Sequence, residues 1–157
     1  MNNITYKFDV SKENKEFIEH NLELYNFSKN EWLNPIMYKR EERKFGFYAY
    51  VGNDIIGGAY GFIDDGYWTW LDLLFVDEKY RNIDVATNLM KKVEIFAIEN
   101  KCIGIRTDTW SFQAKGFYEK MGFTVYGKLE NHPPHATDYL LKKVLITDEN
   151  DFPEPIK

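Results

Sequence analysis

The sequence is poor in cysteine and histidine, and it has no long apolar run. Its 157 residues include a single cysteine, Cys102, and three histidines. One cysteine cannot form an internal disulfide, and the histidines lack zinc-finger spacing, so we expect no metal site. No stretch approaches the roughly 18 apolar residues that span a bilayer, and no basic region followed by an apolar run begins the chain. We therefore expect a soluble, cytoplasmic protein that does not enter a membrane.

Basic residues are also outnumbered, with 20 lysines and arginines against 25 acids and a net charge of -5. Nucleic-acid binding depends on clustered cations that neutralise phosphates, so we expect no nucleic-acid partner. An acidic balance is compatible with a cationic substrate such as an amine, although solubility alone would explain it. The 44% apolar content suffices for one core. We expect one domain over residues 1–146 and a loose acidic tail over residues 147–157.

Apolar periodicity predicts alternating strands and helices. The predicted strands are residues 4–10, 45–51, 55–63, 67–76, 102–107, 123–129 and 138–145. One predicted helix begins at Ser11, and two others cover residues 84–99 and 111–121. Residues 26–43 predict a second short helix or an irregular segment. The nearly continuous apolar run that ends at Val76 predicts a central strand buried on both faces. This order is typical of an α/β (α+β) fold with a mixed, mostly antiparallel central sheet flanked by helices.

A strand, turn and helix occupy residues 71–90, with the sequence LDLLFVDEKYRNIDVATNLM. Free N–H groups and the positive dipole end of a helix N-terminus suit a pyrophosphate, which makes residues 81–87 a candidate anion cradle. This segment resembles the acetyl-CoA-binding motif R-x-x-G-x-G/A of the GNAT superfamily. Asp84 stands where that motif has its first glycine. Asp tolerates left-handed backbone angles, yet its carboxylate would either repel the coenzyme or occupy the N–H groups itself.

A second motif covers residues 108–123, DTWSFQAKGFYEKMGF, and resembles the GNAT pattern Ala-x-x-Phe-Tyr-x-x-x-Gly-Phe. Ser111 is expected to begin its helix, and Ala114 and Tyr118 are four residues apart and share one helix face. The resemblance implies that the Tyr118 hydroxyl protonates the leaving thiolate of the coenzyme. An aromatic core helix is the alternative explanation of the same residues.

Together the two motifs imply the GNAT fold and an N-acetyltransferase that moves an acetyl group from acetyl-CoA to a primary amine by direct attack in a ternary complex. The central strand is then expected to splay from its neighbour and offer backbone groups to the thioester. The implied coenzyme-binding residues are Leu74, Val76, Arg81, Asn82, Ile83, Asp84, Val85, Ala86, Thr87, Ser111, Ala114, Phe117 and Tyr118.

Several points stay open from the sequence. The candidates for the general base are Asp72, Asp108 and His135, each of which could equally be a surface residue without a catalytic role. The acceptor could be a small molecule or a peptide amine, and a homodimer through the last two strands is possible for such domains. The alternative to an enzyme is a degenerate GNAT domain that acts as a non-catalytic acyl-CoA-binding or interaction module, which Asp84 motivates.

Overall fold

The computed structural model describes residues 4–33 and 43–154, which form one mixed sheet and three α-helices. The elements are α1 (Lys12–Lys29), β1 (Lys44–Val51), β2 (Asp54–Ile63), β3 (Trp68–Val76), α2 (Val85–Glu99), β4 (Gly104–Trp110), α3 (Lys115–Lys120), β5 (Thr124–Glu130) and β6 (Thr137–Val144). Two short 3-10 turns lie at Glu78–Tyr80 and Glu149–Asp151. No helix in these ranges is long and apolar enough to cross a membrane.

The six strands lie in the order β1-β2-β3-β4-β6-β5. All neighbouring pairs are antiparallel except β3 and β4, which run parallel. The β1–β2 hairpin turns at Gly52, whose φ of 58° is a conformation that glycine adopts without strain. The mixed, mostly antiparallel sheet predicted from the sequence is confirmed.

Helix α2 packs one apolar stripe on the sheet. Its buried residues are Leu89, Met90, Val93 and Ala97. They join a core that the strands complete with Phe45, Ala59, Ile63, Leu71, Val76, Ile105 and Leu141. The helix connects β3 to its parallel neighbour β4, a connection that requires a crossover.

Strands β3 and β4 separate soon after they begin. Their pairing is limited to Trp68–Trp70 with Gly104–Arg106, whereas β3 stays paired with β2 as far as Val76. A bulge at Asp72 interrupts that ladder, since Tyr60 pairs with Leu73 and Gly61 pairs with Leu71. The predicted splay of the central strand is therefore present.

The expectation that β3 is buried on both faces is wrong. Leu73 is 61% exposed and Phe75 is 63% exposed, because the bulge at Asp72 turns these two side chains away from the core that holds Leu71 and Val76. A continuous apolar run predicts a buried strand only when both faces of the sheet are covered.

The predicted strand over residues 4–10 is also wrong. That segment has no regular structure, and Ile4, Tyr6, Phe8 and Val10 are 71% to 94% exposed. Alternation describes one face of a strand, but a strand also needs a neighbour that accepts its backbone hydrogen bonds. Helix α1 does begin after Ser11, whose side chain accepts a hydrogen bond from Asn14 N.

Other boundaries differ by a few residues. Helix α3 begins at Lys115 rather than at Ser111, and β4 begins at Gly104 rather than at Cys102. The acidic tail is not wholly irregular, since it contains the turn Glu149–Asp151. Of the ambiguous segment 26–43, residues 26–29 belong to α1, and residues 34–42 lie outside the described residues.

Candidate active site

A cavity of about 1060 Å³ lies between β3 and β4, where the two strands separate. It extends from the turn before α2 to helix α3, so one space joins the two motifs found in the sequence. Most of the predicted coenzyme-binding residues line it: Leu74, Val76, Arg81, Asn82, Asp84, Val85, Ala86, Thr87, Ala114, Phe117 and Tyr118.

The turn before α2 has an unusual backbone. Asn82 and Asp84 both have left-handed conformations, with φ of 61° and 64°, and the first helical hydrogen bond runs from Asn88 N to Asp84 O at 2.9 Å. The four amide groups that precede that bond, from residue 84 to residue 87, therefore have no partner within the helix. Two left-handed residues beside a helix start form a concave surface of N–H groups that suits an anion.

Asp84 adopts the backbone conformation that a glycine would supply. Its side chain makes no hydrogen bond to the helix amides, so it does not occupy the groups that an anion would bind. Arg81 supports the same turn, because its Nε donates a hydrogen bond to Val76 O at 3.0 Å. Asp84 thus adopts the left-handed backbone conformation that it was expected to tolerate. Its carboxylate remains a negative charge near the anion cradle.

The edge of β3 that faces the cavity has no strand partner beyond Trp70 among the described strands. Alternate residues of a strand direct their N–H and C=O groups to the same edge, so part of the backbone between Leu71 and Val76 faces the open cleft. One cross-link remains near its inner end, where the buried Thr107 hydroxyl donates to Leu71 O at 2.9 Å. The open backbone edge lies beside Leu74 and Val76, as the resemblance implied.

Tyr118 lies on helix α3 and is 6% exposed. Its ring packs edge-on between Phe117 and Phe123, with ring centroids 5.5 and 5.6 Å apart. Burial, the largest effect, together with the charge of Asp108 raises the pKa of Tyr118 to about 12, although the Thr107 hydroxyl opposes the shift. The phenol therefore keeps its proton at neutral pH, and it lies at the cavity wall.

Two of the three candidate bases, Asp72 and Asp108, line the cavity. Burial raises the pKa of Asp108 above its ordinary range, the charges of Asp138 and Asp72 raise it further, and His132 lowers it. Asp138 lines the same cavity and was missed in the sequence analysis. The signal that finds it is strand register, because Asp138 of β6 is the Cα partner of Trp110 at the end of β4.

Three predicted site residues do not reach the cavity wall. His135 is an exposed loop residue, and His132 of the same loop lies near Asp108 instead. Ile83 is 62% exposed and is not among the residues that line the cavity. Ser111 caps no helix, because its Oγ accepts a hydrogen bond from Thr137 N at 3.1 Å and so joins β4 to β6.

Comparison with known proteins agrees with this geometry. Residues 10–123 match the family model of the acetyltransferase (GNAT) family. The blasticidin-S acetyltransferase of Streptomyces morookaense is 35% identical over 115 residues, which are 71% of this chain and 82% of that protein. The relationship therefore covers the cradle, the splayed strands and the second motif together.

Two solved structures share the fold. The crystal structure of an acetyltransferase from Bacillus cereus ATCC 14579 has a TM-score of 0.76 at 27% identity, covering 90% of this chain and 98% of that one. An aminoglycoside 6′-N-acetyltransferase complexed with coenzyme A has a TM-score of 0.62 at 18% identity, covering 72% and 78%. The chain belongs to the GNAT family and is an acetyl-CoA-dependent N-acetyltransferase.

Proposed function

We propose that this chain acetylates a primary amine of a small molecule by direct attack on acetyl-CoA in a ternary complex. The observation that carries the proposal is the single cavity that joins the anion cradle, the open edge of β3, Tyr118 and two carboxylates. The relative named as a blasticidin-S acetyltransferase supports a small-molecule acceptor over a peptide.

In this proposal the coenzyme lies along the splay. The pyrophosphate binds the amides of residues 84–87, where the helix dipole favours negative charge. The pantetheine arm follows the open edge of β3, and backbone N–H groups near Leu74 and Val76 polarise the thioester carbonyl. Fixed donors of this kind stabilise the oxyanion of the tetrahedral intermediate without reorganisation.

The proton transfers of the reaction can all be made by residues that line the cavity. The amine nitrogen attacks the carbonyl carbon, a C–N bond forms and the C–S bond breaks. Asp108 takes a proton from the amine, since its raised pKa makes it a stronger base than an ordinary aspartate. Tyr118 gives its proton to the departing sulfur, and the proton held by Asp108 then returns to Tyr118. Asp72 remains the second candidate for the base.

The substitution Tyr118→Phe tests this mechanism. We expect kcat to fall by about 10²- to 10⁴-fold, the usual contribution of a positioned proton donor, with little change in acetyl-CoA affinity. The measurements are thiol release with an amine panel and calorimetric titration with acetyl-CoA. Tyr126→Phe, on an exposed tyrosine of β5, is the matched control. Full activity of Tyr118→Phe at every pH would remove the proposed acid.

The same two measurements separate the enzyme from an interaction module. Binding of acetyl-CoA without thiol release across a broad amine panel would favour the non-catalytic alternative. No binding at high coenzyme concentration would contradict the enzyme and leave only an interaction module that does not bind the coenzyme.

A further inference from the structure

Asp138 is a buried carboxylate without a counter-ion in the described part of the chain. It is 7% exposed, its Oδ1 has no hydrogen-bond partner there, and it lines the same cavity as the proposed base. A buried carboxylate is unfavourable unless it is paired or hydrogen-bonded. The missing partner is therefore expected to come from what enters the cavity.

The neighbours of Asp138 on the sheet would suit a cation. Asp108 pairs with Leu140, two residues from Asp138, so the two carboxylates are diagonal neighbours about 7–8 Å apart on one face. Trp110 lies directly opposite Asp138. Its ring centroid is 5.4 Å from that of Phe112, at a tilt of 39°, and Phe112 also lines the cavity. Carboxylates beside an indole ring are the surroundings in which ammonium and guanidinium groups bind.

Two basic side chains near the cavity are engaged elsewhere, and a third, Lys120, also lines the cavity. Arg106 lies on the same face of β4 as Asp108, but it forms an ion pair with Asp64 at 2.6 Å. Lys115, on helix α3, pairs with Glu119 at 2.8 Å. No ion pair of Asp72, Asp108 or Asp138 is present within residues 4–33 and 43–154. The acidic side of the cavity is left to an incoming group.

A metal ion is not the natural occupant, because no group of three or more histidine, cysteine or acidic residues in the described ranges could hold one. We propose that the acceptor amine carries a second cationic group, an ammonium or a guanidinium, which binds Asp138 and Trp110 while the reacting amine lies at Asp108. This inference rests on the proposed function, and it assigns Asp138 as a specificity-determining residue for dicationic amines.

Calorimetry on the complex of the full chain with coenzyme A tests the inference without requiring turnover. The probes are butylamine, 1,4-diaminobutane and 4-aminobutylguanidine, which share a carbon chain and differ in the second cation. We expect at least one dication to bind about 10- to 100-fold more tightly than butylamine, as a charged hydrogen bond provides. Asp138→Asn should abolish that preference, so that the three probes bind the variant with similar affinity.

Asp54→Asn, an exposed carboxylate at the start of β2, is the control and should keep the preference. Thermal melting establishes that Asp138→Asn is folded, and Asp138→Ser replaces it if it is not. Equal affinity for the three probes in the wild type, or a preference that survives loss of Asp138, overturns the inference. Acetylation is followed separately, so that a dication preference without thiol release would contradict the proposed function and leave this inference standing.

Discussion

At the scale of single residues, the two proposed proton carriers differ in their surroundings. Tyr118 is packed among aromatic rings and holds its proton. Burial is the largest cause of the raised pKa of Asp108, and the charges of neighbouring carboxylates raise it further. The same carboxylates also lie where a cationic acceptor would bind, so acceptor binding should bring the pKa of Asp108 back toward its ordinary range.

Asp108→Asn should change both the pH profile and the stability. As a base with a raised pKa, Asp108 loses its function as the pH falls through that pKa, so the acidic limb of kcat/KM should belong to it. The substitution should lower kcat/KM by about 10²-fold or more. An unchanged acidic limb in Asp108→Asn would assign the base to another group, with Asp72 the next to test.

The stability effect has a definite sign. Because the folded state raises the pKa of Asp108, the folded chain binds more protons than the unfolded chain, and its stability falls as pH rises through this range. The Asp108→Asn variant does not lose stability in this way as the pH rises. Its melting temperature should match the wild type below the ordinary aspartate pKa and exceed it near pH 7.

At the scale of elements, the turn into α2 uses Asp84 where glycine is the family pattern. The residue meets the backbone requirement, with φ of 64°, but it adds a negative charge beside the proposed diphosphate site. The backbone conformation of Asp84 and the charge of its side chain therefore have separate effects, and different substitutions can distinguish them.

Asp84→Asn keeps the left-handed tolerance and removes the charge, so acetyl-CoA should bind about 3- to 10-fold more tightly, in line with a screened charge repulsion. Asp84→Gly should add up to about 1 kcal/mol of stability, since it also removes the left-handed cost. Asp84→Ala is the backbone control and should be destabilised. Calorimetry and urea unfolding measure these effects, and an unchanged coenzyme affinity in Asp84→Asn would show that the carboxylate is too far away to matter.

The elements also show where sequence patterns suffice. The β1–β2 hairpin and α2 were predicted within one residue, because a turn glycine and a long apolar stripe are local signals. The segment of residues 4–10 has equally clear alternation, yet pairing depends on a partner strand that the pattern does not contain. Ser111 was read as a helix cap, but its hydroxyl binds a backbone amide of β6, a contact between residues far apart in the chain.

At the scale of the whole molecule, the coenzyme side of the site was readable from sequence and the acceptor side was not. The anion cradle and Tyr118 each lie within a motif that is a single stretch of the sequence. The acidic side combines Asp72 of β3, Asp108 of β4 and Asp138 of β6, and only the sheet order and the β4–β6 register bring them together. Strand β6 carries no motif of its own.

The homodimer expected from the last strand pair remains a prediction. Strand β5 is the edge strand of the sheet, and Leu129 on it is 55% exposed. We expect sedimentation velocity to give twice the monomer mass and Leu129→Glu to give the monomer. Val51→Glu, at the opposite edge strand and 49% exposed, should leave the mass unchanged. A monomeric wild type at high concentration would rule out this dimer.

The bulge at Asp72 constrains how the length of the chain can change. Before it, Leu71 faces the core, and after it Leu74 and Val76 do. Asp72 is the extra residue of the bulge, so deleting it would restore simple alternation and leave Leu74 and Val76 facing the core. Deleting Phe75 instead would keep the bulge and turn Val76 to the outer face. The hairpin loop at Gly52 carries no such parity, so changes of length that this loop tolerates should be damaging in β3 beyond the bulge.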